Sequence, residues 1–130
     1  MPSVFTRIIE GELPGTFVHR DDLAVAIMTI NPINEGHVLV IPRLEVDRWT
    51  DLPMERANHL FHLAHRIGNA QIQAFGCQRA ALIIAGFEVP HVHLHVIPAN
   101  GLEHVSFDNA ARFVEPSELH AAANRIIAEL

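Results

Sequence analysis

Three histidines occupy alternate positions, His91, His93 and His95, within a run of valine, leucine and isoleucine. A strict period of two among β-branched and aliphatic residues predicts a β-strand. Successive side chains on a strand point to opposite faces, so we expect the three histidines to share one face, with the apolar residues between them in the core. Imidazole is the side chain whose ordinary pKa lies nearest neutral pH, so three on one face indicate a chemical role.

Three roles fit this pattern. The histidines could be exposed polar residues on a half-buried strand, or a His₃ metal site. The metal site is disfavoured because three same-face positions span roughly 13 Å of strand, and no Cys-x-x-Cys or His-Glu-x-x-His accompanies them. The third role is nucleophilic catalysis on phosphorus, in which one imidazole attacks and its neighbours fix its tautomer and donate hydrogen bonds. The turn at residues 86–89 precedes the histidines and could offer backbone N–H groups to a phosphate.

Composition favours a single domain over residues 1–130, with 49% apolar residues, 18% charged residues and a formal charge of −6. The acidic balance and the absence of a Lys/Arg block argue against a nucleic-acid partner. No run approaches the length of a membrane span, and no secretory signal is visible at the N-terminus. Cys77 is the single cysteine, which excludes an internal disulfide and suits a reducing compartment. We expect a cytoplasmic protein with no membrane partner.

Periodicity predicts an α+β fold with an antiparallel sheet of about five strands, one long central helix and a C-terminal helix. Predicted strands cover residues 16–20, 23–30, 37–42 and 80–85 together with the histidine run, and predicted helices cover 4–10, 53–75 and 116–130. Residues 101–115 are expected to form a surface loop. The apolar stripe predicted for the long helix consists of Met54, Ala57, Leu60, Phe61, Ala64, Ile67, Ile72 and Phe75. His59 and His62 are expected on its solvated side.

The segment from His91 to Ile97 reads His-φ-His-φ-His-φ-φ, where φ is apolar, and in this it resembles the signature of the histidine triad (HIT) family. Residues 11–14, 30–43 and 85–90 also resemble landmarks of that family, in the same order. The resemblance covers about residues 3–98, whereas the loop and helix over 99–130 add little. It implies a HIT-like fold for the whole domain.

The resemblance also implies a function. Family members bind nucleotides, act without a cofactor, and hydrolyse or transfer nucleotidyl groups from phosphoramidates, mixed anhydrides or dinucleoside polyphosphates. By this likeness His93 would attack the α-phosphorus of a purine nucleotide, and His91 would orient it through a backbone carbonyl. His95 would contact phosphate oxygens or the leaving group, and His37 would pack near the three. The resemblance further implies a homodimer.

Nucleotide-binding residues are carried over in the same way. Those expected to line the base and ribose pocket are Phe5, Ile8, Leu13, Met28 and Ile30, and Val89 ends the phosphate-side turn. Thr29 stands where many members have an Asp that holds the ribose, and Phe87 stands where the family often has a Gln.

Four residues differ from those that family members often have at the same positions. Phe87 and Thr29 motivate an alternative in which the protein binds nucleotides with little or no catalysis. Thr6 and Glu45 stand where zinc-containing members have ligands, so we expect no structural zinc.

Overall fold

The computed structural model describes residues 1–130 as a five-stranded antiparallel sheet with helices on both faces. The strands are β1 (Phe17–Arg20), β2 (Ala24–Met28), β3 (Val38–Pro42), β4 (Arg79–Ile83) and β5 (Leu94–Ala99), and their order in the sheet is β1-β2-β3-β5-β4. β5 is the last strand in sequence but lies inside the sheet, where it pairs with β3 and β4. The predicted α+β class and strand number are confirmed.

The connection between β1 and β2 is built on Asp21. Its Oδ1 accepts hydrogen bonds of 2.8 Å from the backbone N–H groups of Leu23 and Ala24, which closes the tight turn. Its Oδ2 lies 2.7 Å from His19 Nε2 and 2.9 Å from His59 Nε2. Burial raises the pKa of Asp21, but hydrogen bonds from His19 and the backbone outweigh it and hold that pKa well below its ordinary value. His59 therefore braces this turn and does not lie on a freely solvated helix face.

The long helix α2 (Met54–Phe75) covers one face of the sheet. It buries Leu60, Leu63, Ala64 and Ile67 in the main core, which also contains Val92, Leu94 and Val96. The predicted stripe was too wide, because Met54 and Phe61 are 72% and 60% exposed. Positions 60, 63, 64 and 67 recur every three or four residues, whereas Phe61 is turned about 100° from Leu60.

Gln71 connects α2 to two other parts of the fold. Its fully buried side chain donates from Nε2 to the carbonyls of Gly36 and Val96, both at 2.8 Å. Gly36 has a φ of 91°, a conformation that favours glycine, and Phe75 packs directly against it. The loop before β3 is thereby fixed against α2.

The opposite face of the sheet is covered by a short helix, α1 (Val4–Ile9). Phe5 packs there in a smaller cluster, which we call the α1-side cluster and which also contains Val25, Ile27, Leu39 and Ile41. Because alternate residues of β2 and β3 face α1 and α2, both strands are buried throughout.

Residues after β5 form two short 3₁₀ turns, Leu102–Val105 and Phe107–Asn109, before α3 (Pro116–Ile127). α3 returns to the α2 side and buries the predicted residues Leu119, Ala122, Ala123 and Ile126, whereas Leu130 lies beyond the helix and is exposed. No helix combines the length and apolar character that crossing a membrane requires.

Candidate active site

β5 begins at Leu94, so only His95 of the three histidines lies within a strand. The prediction of one strand through all three is wrong in extent. The ladder between β3 and β5 stops at the pair Val40–Leu94, and Val92 N–H donates instead to the carbonyl of Val46 at 2.8 Å. His91 and His93 therefore lie in an irregular segment that leads into β5.

The three imidazole rings nevertheless share the face covered by α1. The Phe5 ring centroid lies 5.8 Å from that of His91 and 4.8 Å from that of His93. The His93 and His95 centroids are 5.0 Å apart. The intervening residues point into the main core on the other side, as the period of two predicted.

The hydrogen bonds of His93 leave one ring nitrogen free to act. His93 Nδ1 lies 2.7 Å from the backbone carbonyl oxygen of His91. A carbonyl oxygen only accepts hydrogen bonds, so Nδ1 carries the proton and donates it. In the neutral ring Nε2 then carries an unshared lone pair, which is what a nucleophile requires.

The orientation of His91 is fixed at both ring nitrogens. His91 Nε2 donates to the carbonyl of Pro42 at 2.7 Å, and His91 Nδ1 lies 2.6 Å from Ser3 Oγ. Because both nitrogens have protein partners, His91 has no lone pair to offer a metal ion. Nowhere in the structure do three His, Cys, Asp or Glu side chains form a group that could hold a metal.

His37 fixes the tautomer of His95. The backbone N–H of Ile33 donates to His37 Nδ1 at 3.0 Å, so the proton of the neutral His37 ring is on Nε2. His37 Nε2 then donates to His95 Nδ1 at 2.9 Å. His95 in turn carries its proton on Nε2, where it can be donated to a substrate.

Burial keeps all four imidazoles neutral. Desolvation by burial, and to a smaller extent the nearby His95, lowers the pKa of His37 to about 3. Desolvation by burial, and to a smaller extent the nearby His93, lowers the pKa of His95 to about 4. Desolvation also lowers the pKa values of His91 and His93 below 6.5. At neutral pH the site therefore combines one free lone pair with one free N–H donor.

The predicted base and ribose residues are only partly brought together. Phe5 contacts the histidines, and Ile8 and Val89 pack against the α1-side cluster. Leu13 is half-buried just after α1. Met28 does not line this face, because it is buried in the main core toward α2.

The neighbour of Met28, Ile27, lies in the α1-side cluster instead, and alternation along β2 could have identified it. Ile30 is mostly exposed in the loop after β2. The hydroxyl of Thr29 in the same loop accepts from the backbone N–H of Asn31 at 3.2 Å.

A cavity of about 350 Å³ opens beside His93. Trp49 and Arg48 line it from the connection between β3 and α2, and Phe87 and Ile84 line it from the connection after β4. Phe87 is 97% exposed, so its ring is available to a ligand. The cavity is large enough for part of a small molecule.

Phe107 lies beside the histidines, although the sequence did not indicate it as a site residue. It belongs to the segment expected to form a surface loop. Its ring centroid is 4.9 Å from that of His95. Asn31 holds this segment by donating from Nδ2 to the carbonyls of Ala111 and Arg112, at 3.0 and 3.2 Å. No periodicity marks residues 101–115, so only the folded chain reveals this contact.

Comparison with known proteins gives consistent results. The family model of the HIT domain matches residues 10–102. An uncharacterised HIT-like protein of Methanocaldococcus jannaschii is 31% identical over 100 residues, covering 73% of this chain and 77% of that protein. A crystal structure of a HIT-like protein from Bartonella henselae shares the fold, with a TM-score of 0.85 at 24% identity over 98% of this chain and 96% of the other.

Two relatives carry enzyme names. An adenylylsulfatase of Arabidopsis thaliana is 32% identical over 100 residues, and an adenosine 5'-monophosphoramidase of Saccharomyces cerevisiae is 31% identical over 96 residues. Each alignment covers 73% of this chain, but 51% of the first enzyme and 61% of the second. The matched family model, the shared fold and the histidine geometry agree, and this protein belongs to the histidine triad family.

Proposed function

We propose that this protein is a nucleotidyl hydrolase or transferase that works through a covalent nucleotidyl-histidine intermediate on His93. The observation that carries the proposal is the hydrogen bond from His93 Nδ1 to the carbonyl of His91. It orients the ring and leaves the Nε2 lone pair as the only unshared one among the hydrogen-bonded imidazoles of His37, His91 and His93.

In the first step His93 Nε2 forms a bond to the α-phosphorus while the bond from phosphorus to the leaving atom breaks. The leaving atom takes up a proton from solvent. His95 donates a hydrogen bond from Nε2 to the phosphoryl oxygens or the leaving atom, where negative charge accumulates. In the second step water attacks the same phosphorus, the phosphorus–nitrogen bond breaks, and a proton returns to solvent.

The expected substrate is a purine nucleotide activated at its α-phosphate, with the nucleoside beside Phe5 and Ile8. The names of the two enzymatic relatives support phosphorus–nitrogen and sulfate–phosphate bonds as candidates for cleavage. The cavity between Trp49 and Phe87 adjoins His93 and offers room for the displaced group.

The second candidate function is nucleotide binding with little turnover. Phe87 places an apolar ring where family members often have a hydrogen-bonding Gln, and Thr29 is a neutral residue where many have Asp. If this candidate is right, nucleosides will raise the melting temperature while no substrate is consumed.

The test is turnover of a panel that contains adenosine phosphoramidate, adenylyl sulfate, a dinucleoside polyphosphate and an aminoacyl-adenylate. His93→Ala should lower kcat at least about 1,000-fold, since it removes the attacking atom. His62→Ala, on the exposed side of α2, is the matched control and should not change kcat. Acid-quenched wild type should gain the mass of one nucleotide on His93. Turnover that persists in His93→Ala would contradict the proposal.

We also propose a homodimer formed through β4 and α2. β4 is an edge strand, and the exposed apolar side chains of Leu82 and Ile84 lie on and just after it. Leu82 and Phe61 line a second cavity, of about 360 Å³, between β4 and α2. An exposed apolar patch beside an open strand edge is typical of an interaction surface.

A further inference from the structure

The start of α1 is connected to the histidine run by Ser3. Ser3 Oγ lies 2.6 Å from His91 Nδ1, and the two residues are 7% and 0% exposed. Because His91 Nε2 donates to Pro42, the neutral ring must accept at Nδ1, and the Ser3 hydroxyl is therefore the donor. Ser3 Oγ also accepts from the backbone N–H of Thr6 at 3.1 Å and so caps α1.

Glu45 also holds Ser3 in place. Its Oε1 accepts from the backbone N–H of Ser3 at 2.7 Å and from the hydroxyl of Thr6 at 2.6 Å. Glu45 follows β3, whose last residue, Pro42, accepts from His91. The His91 ring is thus held between the start of α1 and the end of β3.

We infer that Ser3, held by Glu45, is a positioning residue for nucleotidyl transfer. The Pro42 carbonyl keeps the His91 proton on Nε2, and the Ser3 hydroxyl occupies the lone pair on Nδ1, so that the ring stays neutral. His91 in turn presents the backbone carbonyl that orients His93. The kinetic consequences rest on the proposed function, whereas the tautomers can be measured without turnover.

Loss of the hydroxyl has a defined chemical consequence. The groups that face His91 Nδ1 are then the Glu45 carboxylate, at 3.9 Å, and the Phe5 ring, while His93 lies on the same segment. Without the Ser3 hydroxyl, the Glu45 carboxylate favours a proton on His91 Nδ1. That proton displaces the Nε2–H bond to Pro42 or places a positive charge beside His93. Both changes disturb the orientation or basicity of the attacking nitrogen.

The experiment compares Ser3→Ala with Ser3→Thr, which keeps the hydroxyl and the helix cap. Nitrogen-15 NMR of the imidazoles should show His91 protonated at Nε2 in wild type and in Ser3→Thr. In Ser3→Ala it should show protonation at Nδ1. We expect kcat to fall about tenfold in Ser3→Ala with KM within threefold, since misplacing a catalytic group acts mainly on the chemical step. The acid limb of the kcat profile should move to higher pH by about one unit, because the Glu45 carboxylate then favours protonation of His91 and the protonated ring lowers activity.

Two control variants separate this role from a structural one. Thr6→Val loosens the same helix start but leaves the Ser3–His91 hydrogen bond, so it should not change the His91 tautomer. Ser117→Ala removes an exposed serine in the first turn of α3 and should behave as wild type. If Ser3→Ala does not fold, Ser3→Cys offers a side chain of similar size with a weaker donor.

The inference is overturned if Ser3→Ala keeps the Nε2–H tautomer and the wild-type acid limb, or if Thr6→Val lowers kcat as much as Ser3→Ala does. If wild type turns over no substrate, the proposed function fails, and the tautomer comparison still decides the role of Ser3.

Discussion

Phe87 stands at a position beside His93 where members of the family often have a Gln. It is 97% exposed and lines the cavity beside His93 without covering a core. In the proposed reaction, a phenyl ring at that position cannot donate a hydrogen bond to the phosphate, as a Gln would. It offers an apolar surface to the leaving group instead.

We therefore expect Phe87→Gln to raise kcat on adenosine phosphoramidate about threefold to tenfold, which corresponds to about 0.6–1.4 kcal/mol, the net contribution of one ordinary hydrogen bond. Steady-state kinetics of the variant beside Phe113→Gln, another strongly exposed phenylalanine outside the cavity, would measure this. A fall in kcat for Phe87→Gln would show that the ring itself contributes to the reaction.

At the residue scale, the sequence indicated the histidines that we propose to react, but not all of the residues that hold them in place. The alternation of His91, His93 and His95 gave their common face, and the family likeness added His37. Ser3 and Phe107 were not found, because a serine before a short helix and a phenylalanine in an aperiodic segment have no signature of their own. Only the fold brings them to His91 and His95.

At the scale of elements, the loop before β3 depends on close packing against α2. Gly36 has a positive φ, and a Cβ added there would overlap the Phe75 ring. Gly76, at the end of α2, also has a positive φ, but an added Cβ would meet nothing within 4 Å. Substituting each glycine in turn therefore distinguishes the cost of backbone strain alone from the cost of strain together with steric overlap.

Gly36→Ala should destabilise the protein by roughly 3 kcal/mol, the sum of strain and a forced shift of Phe75. Gly76→Ala should cost only about 1 kcal/mol from strain. Urea unfolding of both variants measures the difference. Equal losses would show that Phe75 moves aside freely.

The elements themselves were predictable within a few residues at their ends, since periodicity marks them. Two details were not. The width of the buried face of α2 depends on how the helix is rotated against the sheet, which left Phe61 outside. The start of β5 depends on where β3 stops pairing, at Val40.

At the scale of the whole molecule, buried neutral histidines make stability depend on pH. The folded pKa values of His37 and His95, about 3 and about 4, lie below 6.5. The unfolded chain takes up protons below pH 6.5 that the folded rings do not, so stability is constant above that pH and falls as the pH drops.

Between pH 6.5 and 5.0 the free energy of unfolding should fall by roughly 2–4 kcal/mol, at about 1.4 kcal/mol per pH unit for each such histidine. Asp21 also has a lowered pKa in the folded protein. The stability that depends on its ionised carboxylate is lost only when the pH approaches 3.8, the ordinary pKa of an aspartate. Urea unfolding at several pH values would resolve the two ranges. His62→Ala should keep the same slope, and a flat profile above pH 5 would contradict the expectation.

The proposed dimer is also a property of the whole molecule. Leu82→Glu places a charge on the edge strand β4 and should convert the dimer to monomer in sedimentation analysis, because desolvating an unpaired carboxylate is costly. Phe113→Glu changes a strongly exposed apolar residue that lies outside β4 and α2, and it should leave the dimer intact. A wild-type monomer would refute the assembly.

The position of β5 within the sheet has a consequence for how the chain folds. His95 pairs with Leu39 on one side and Ile83 on the other, so the sheet stays divided until the last strand inserts. Until then β3 presents an open apolar edge, and pairing across so long a separation in sequence is slow. The proposed activity should therefore be among the last properties that a nascent chain acquires. Partial unfolding that releases β5 should abolish that activity and expose an aggregation-prone edge.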